Sequence, residues 1–232
     1  MSKMLIFGKI DYINLLPLHI FLKKTPLPNA FKKAMEYKKN VPSKLNQDLF
    51  YRRIDAAVIS SIESARKRYK TLDIGICAHK KVQSVLVKKD SKYKKDKASA
   101  TSNALARVLK ARGEVIIGDR ALRLYSQNPS EFIDLCALWY EKTHLPFVFA
   151  RLSYIRNKTF FKKLLNPFVH SKIFIPRYIL ENYARSRQIS PKDIQNYLKE
   201  IIYYKIAYKE KKALKLFLKK EKQSGKNRSV SL

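Results

Sequence analysis

One pattern limits this chain more than any other: short apolar runs that end in small polar residues, each directly ahead of a segment with helix-starting features. Met4–Phe7 passes through Gly8 into Asp11-Tyr12-Ile13-Asn14. Leu15–Leu22 follows with Pro17 near its start, where a missing N–H leaves no helical bond unmade. Ile54–Ile59 likewise runs into Ser60-Ser61 ahead of Ile62–Arg66. Repeated strand-to-helix junctions predict a doubly wound α/β lobe, and in such sheets ligands sit beyond the carboxyl ends of the strands. Asn14, Ser60 and Ser61 stand at such ends. A residue before a helix also serves as an N-cap, and the local sequence leaves both roles open for Asn14.

The same reading continues along the chain. Phe31–Tyr37 is expected as a strand and Lys44–Arg52 as a helix capped by Ser43 or Asn40. Thr71–Ala78 and Val82–Val87 are strand-like, the second carrying Ser84, and the charged stretch Asp90–Lys97 marks a boundary. Ser99, Thr101 and Ser102 precede an amphipathic helix. A cap needs one hydroxyl, so three of them beside open N–H groups also suit a carboxylate or phosphate. Glu114–Ile117 reads as a strand, Gly118 as a turn and Asp119 as the next N-cap; Phe132–Leu135 and Pro146–Leu152 are further strands. From residue 153 the spacing predicts helices over 157–165, 175–185 and 191–208. Tyr178, Tyr183, Tyr197, Tyr203 and Tyr204 fall there at helical spacing, the arrangement of core packing rather than of a base-stacking platform. A basic amphipathic helix follows over 209–222, with a disordered tail expected over 223–232.

Composition narrows the function classes. The chain has 232 residues, with 50 Lys and Arg against 18 Asp and Glu, a formal charge of +32. The lysines are spread along nearly the whole length with no nucleic-acid-binding motif in company, so no specific nucleic-acid partner is expected and the excess reads as a solvated basic surface that attracts anionic small molecules. No apolar run reaches the length of a membrane span and the N-terminus lacks a signal-peptide pattern, so a cytoplasmic location without a membrane span is expected. Cys77 and Cys136 read as buried free thiols, and His19, His79, His144 and His170 show no metal-ligand spacing. No metal and no cofactor are expected.

Seven segments carry a further signal. They are Gly-Lys-Ile-Asp-Tyr-Ile-Asn-Leu-Leu-Pro at 8–17, Val-Pro-Ser-Lys-Leu-Asn at 41–46, Ile-Asp-Ala-Ala-Val-Ile-Ser-Ser-Ile-Glu at 54–63, Ser-Val-Leu-Val at 84–87, Ser-Ala-Thr-Ser at 99–102, Ile-Ile-Gly-Asp-Arg-Ala-Leu at 116–122 and Leu-Pro-Phe-Val-Phe-Ala at 145–150. In this order they resemble the chorismate dehydratases of the futalosine route to menaquinone. The resemblance runs from Gly8 to about Ile155. It departs in two places: only four residues separate Leu109 from Glu114, where the family has an additional loop and strand, and His144 stands where glycine is common.

The resemblance implies an α/β, two-lobed periplasmic-binding-protein type II-like fold with its ligand cleft between the lobes. Lobe one would comprise residues 1–86 and 150–232, and the smaller inserted lobe two residues 87–149. Asn14 and Ser84 would be the catalytic pair, while Ser60, Ser61, Ser99, Thr101, Ser102 and Asp119 would bind substrate. The implied reaction is dehydration of chorismate to 3-[(1-carboxyvinyl)oxy]benzoate. Asn and Ser are poor bases at neutral pH, so the enolpyruvyl carboxylate of the substrate is the expected proton acceptor. Two neighbouring readings are a dihydroxynaphthoate synthase, whose Ser-Pro-Cys-Pro-Asn-Asp-Thr-Phe opening is absent, and a non-catalytic binding protein for an aromatic carboxylate.

Overall fold

The computed structural model describes residues 4–226. Its strands in chain order are β1 (Phe7–Gly8), β2 (Ala56–Ser60), β3 (Lys70–Ala78), β4 (Val85–Lys88), β5 (Glu114–Ile117), β6 (Phe132–Asp134), β7 (Phe147–Tyr154) and β8 (Ile202–Lys205). Five of them form one sheet in the order β1-β2-β7-β3-β8, and three form a second in the order β5-β4-β6. The helices are α1 (Leu16–Lys24), α2 (Asn29–Tyr37), α3 (Pro42–Phe50), α4 (Ser61–Ser64), α5 (Ala100–Leu109), α6 (Gly118–Gln127), α7 (Leu135–Thr143), α8 (Lys158–Leu165), α9 (Arg177–Arg187), α10 (Pro191–Asn196) and α11 (Tyr208–Lys226).

The large sheet is mixed, not the parallel sheet expected of a doubly wound lobe. Only β1 and β2 run parallel; β7 is antiparallel to both β2 and β3, with Val58 opposite Leu152 and Ile76 opposite Ala150. The reason lies in the chain path: β7 enters the large sheet between two strands already present. Buried almost along its whole length, it carries the near-continuous apolar sequence that an interior strand requires.

Three further expectations are corrected. Phe31–Tyr37 belongs to helix α2, which buries Phe31 and Met35 one turn apart and leaves its lysines in solvent. The helix expected over 191–208 ends at Asn196; a π-turn, Tyr197–Ile201, then leads into β8. Here the open edge of β3 overrides helical spacing, because Tyr203 pairs with Cys77 and Lys205 with Ile74, and Ile-Tyr-Tyr suits a strand. At the chain's end, residues 223–226 extend α11 rather than forming a tail, and the remainder of the expected tail lies outside the described residues.

Helix α11 buries Ala213, Leu214 and Phe217 against α5 and β7. The Phe217 ring lies 4.9 Å from Phe147 and 6.2 Å from Trp139, ring centre to ring centre, and Trp139 Nε1 donates to the Pro146 carbonyl at 3.1 Å. This aromatic group ties α7, β7 and α11 into one core. Cys77 and Cys136 are buried free thiols, each pushed up in pKa by burial. His144 ends α7 at φ +53°, left-handed backbone that favours glycine. No helix of the described residues is long and apolar enough to cross a membrane.

Candidate active site

The carboxyl end of β2 and the turns before β4, α5 and α6 line one pocket. Ile10, Val58, Ile76, Val82, Ile117 and Phe149 give it apolar walls; Asn14, Ser60, Ser84, Ser99 and Ser102 give it polar groups. Tyr12 and Gly118 complete one side. Gly118 sits at φ +65°, and a Cβ there would lie 3.1 Å from the Tyr12 ring, so both backbone and space call for glycine. Among the described residues that line the pocket there is no Asp, Glu, His, Lys or Arg. The Tyr12 phenol is its one titratable side chain, and burial pushes it up to about 12.

Three hydroxyls in this lining are each tied to a partner. Ser60 Oγ accepts from Asn46 Nδ2 at 3.1 Å, while the Asn46 carbonyl takes the Ser60 N–H at 3.2 Å. Ser102 Oγ accepts from Ser99 Oγ at 2.8 Å, and Ser99 in turn caps α5 by accepting the Ser102 N–H. Ser84 Oγ lies 2.8 Å from the Tyr197 phenol. A serine hydroxyl that accepts from behind keeps its own proton for whatever lies in front. Beside Ser99 the first N–H groups of α5 are also free of helical partners, as at any helix start. The result is an apolar slot edged with neutral polar groups, suited to a ligand that combines apolar surface with hydrogen-bond acceptors.

The turns that carry the two central residues are held from outside the pocket. The Val82 and Gln83 N–H groups both donate to Asp134 Oδ2, at 2.9 and 2.7 Å, which shapes the turn ahead of Ser84; the Ser84 carbonyl accepts from Gly118 N at 2.8 Å. Burial raises the pKa of Asp134 against those N–H groups. Asn14 does not cap α1. It lies inside a short 3₁₀ turn, Ile13–Leu15, and Leu15 precedes the helix with no side-chain cap. Tyr204 Oη donates to the Asn14 carbonyl at 2.7 Å, and the buried Asn14 Oδ1 has no partner among the described residues.

Asp119, expected as an N-cap, is instead a strut. Ile117 precedes α6, and Asp119 in the first turn accepts the Ile13 N–H at 2.9 Å and Arg187 Nε at 2.8 Å. Burial raises its pKa, opposed by those two donors. Arg187 also donates to the Asp11 carbonyl, and Tyr183 Oη donates to Asp11 Oδ1 at 2.7 Å. Asp119 thus fixes the residue before Asn14 and is not part of the lining. Ser61 and Thr101 are outside it too: Ser61 Oγ donates to the Val148 carbonyl at 2.6 Å, and Thr101 Oγ1 accepts the Ile62 N–H at 3.3 Å. Of the eight residues singled out from the sequence, Asn14, Ser60, Ser84, Ser99 and Ser102 meet in one pocket.

Sequence reasoning missed Asn46, Asp134 and the tyrosines. Taken as core packing, Tyr183, Tyr197, Tyr203 and Tyr204 each place the hydroxyl on a polar partner, while Tyr178 is exposed. Clustering of phenols near the chain's end was the available signal, because a buried Tyr hydroxyl finds a partner.

Comparison with known proteins agrees with this geometry. The family model described as menaquinone biosynthesis matches residues 5–115 and 109–223. The chain belongs to the menaquinone-biosynthesis family. A family relative from Campylobacter jejuni, named chorismate dehydratase, is 66% identical over 215 residues, covering 93% of this chain and 96% of the relative. Among solved structures, a protein from Archaeoglobus fulgidus superposes with a TM-score of 0.63 at 13% identity, covering 97% of both chains. The periplasmic aliphatic sulphonate binding protein from Escherichia coli superposes with a TM-score of 0.54 at 14% identity, covering 99% of this chain and 94% of its own. The fold is periplasmic-binding-protein-like.

Proposed function

We propose that the chain is a carbon–oxygen lyase that converts chorismate to 3-[(1-carboxyvinyl)oxy]benzoate and water, the first step of the futalosine route to menaquinone. The observation that carries this is the lining: apolar walls, hydroxyls with protons to give, and no ionisable base among them. Chorismate brings two carboxylates, and a dehydration can use one of them as its base.

In this reaction the hydrogen on the ether-bearing ring carbon leaves as a proton. The electron pair of that C–H bond becomes a ring double bond, and the neighbouring C–O bond breaks. The departing hydroxide takes up a proton as water, and the ring becomes aromatic. The pocket's task is selection, since the same substrate can lose pyruvate or rearrange, and a fixed conformation excludes those outcomes. Asn14 and Ser84 orient the ether and the departing hydroxyl, and the enolpyruvyl carboxylate takes the proton. Ser99, Ser102 and the start of α5 hold a carboxylate with neutral donors, and Ser60 supports the same ligand. Thr101 and Ser61 act behind them as supports. Lobe one, residues 1–86 with 150–232, and lobe two, residues 87–149, would meet around the substrate, and the presence of two separate sheets supports such a division.

Incubating the purified protein with chorismate and analysing the products by mass spectrometry tests this directly. A product lighter by one water that keeps the enolpyruvyl group is expected. Unchanged chorismate with a folded protein would overturn the reading and leave a binding protein for aromatic carboxylates.

A further inference from the structure

We propose that Tyr197 is a positioning residue that sets Ser84 as a hydrogen-bond donor towards the substrate; this rests on the chorismate reading above. Tyr197 opens the π-turn that interrupts the path from α10 to β8, and such turns recur at functional sites. Its side chain is 1% exposed and absent from the pocket lining, so it acts through its neighbours and not on the ligand.

The Ser84–Tyr197 pair can share its proton in either direction, and the proton count points to the phenol as donor. The phenol oxygen has one proton to give and lies 2.8 Å from Ser84 Oγ. The Asn14 side chain also neighbours the phenol; Ser84 and Asn14 both work to lower its pKa, while burial, the larger effect, raises it. Asn14 Oδ1 accepts from nothing among the described residues, so it does not take the phenol proton. Ser84 Oγ is the acceptor in reach. A phenol is also a stronger acid than an alcohol and so the better donor of the two. With its lone pair occupied, Ser84 turns its own O–H away from Tyr197 and into the pocket, where the reacting hydroxyl or a carboxylate oxygen can accept it. One buried hydroxyl thereby sets the donor role of Ser84 in the proposed catalytic pair.

The test compares chorismate turnover by the wild type, Tyr197→Phe, Ser84→Ala and the double variant, with a melting curve for each. Tyr197→Phe is expected to lower kcat about tenfold or more, as loss of one orienting hydrogen bond implies, with KM within about threefold. In the Ser84→Ala background the same change should have little further effect, since the residue it acts through is gone. Wild-type kcat in Tyr197→Phe, or equal losses in both backgrounds, overturns the proposal. A wild type that leaves chorismate unchanged overturns the parent reading instead, so the two failures are distinct. Should Tyr197→Phe fail to fold, 3,5-difluorotyrosine at 197 decides: its more acidic phenol still donates when neutral and stops donating once ionised. A fall in kcat at lower alkaline pH than in the wild type supports the role, and superimposable pH profiles overturn it.

Discussion

Ser102 and Ser84 are each tied to a second hydroxyl, at two ranges. Ser102 receives its hydrogen bond from Ser99, three positions earlier within the first turn of α5. Ser84 is paired with Tyr197, 113 positions away, on a turn that exists because β8 closes the edge of β3. The local pair needs only its own helix to form. The distant pair needs the whole large sheet, the Asp134-held turn and the Asp119–Arg187 strut to be in register. In the roles proposed for them, substrate holding would therefore be robust to remote changes and the chemistry exposed to them.

The sharpest way to break this contrast is Ser84→Ala. Loss of a preorganised donor lowers rates on the order of 10²–10³-fold, so steady-state kinetics should show that loss in kcat with KM little changed. An equal effect on KM would place Ser84 with the holding groups.

Acid should act next, on overall stability through α1. His19 on α1 is buried, neither ring nitrogen has a partner among the described residues, and its pKa is pushed down to about 3 by burial first and by Lys9 second. Above pH 6.5 the imidazole is neutral folded or unfolded and does not affect stability. Below it the unfolded chain takes up a proton that the folded chain refuses, so stability falls as pH drops from 6.5 towards 3, by about 2 kcal/mol at pH 5. Urea titrations at pH 7 and pH 5 should show this loss, and His19→Leu should flatten it.

Ser102→Ala should act on KM alone, raising it about tenfold for one lost donor to a carboxylate, with kcat near the wild-type value. A matching fall in kcat would erase the division between holding and chemistry. The smallest effect is far from both. His144→Gly relieves a left-handed residue at the end of α7, worth about 1 kcal/mol of stability, which a melting curve should show as a modest rise in Tm with kinetics unchanged.

The range of each contact also decided what the sequence could reveal. Ser99-Ala100-Thr101-Ser102 was readable because a cap and its helix are neighbours, and so was Pro17 inside the first turn of α1. Asn14 and Ser60 were legible as polar residues at strand ends and Ser84 as a polar residue within a strand-like run, and family resemblance ordered them. What supports them was not: Asn46 behind Ser60, Asp134 beneath Gln83 and Tyr197 behind Ser84 come from other elements. Local patterns also misread residues whose outcome tertiary contacts decide. Asp119 had the form of a cap yet braces Ile13, and Ile202–Lys205 had helical spacing yet pairs with β3.

The position of β8 and α11 at the far end of the chain bears on how the protein is made. Until residues 197–217 have left the ribosome, the outer edge of β3 is unpaired, the Trp139 and Phe147 rings lack Phe217, and Ser84 has no phenol behind it. A nascent chain halted short of that point presents an open strand edge and bare aromatic surface, the features that draw unfinished chains together. Residues 197–217 are thus the ones that close that edge and cover those rings.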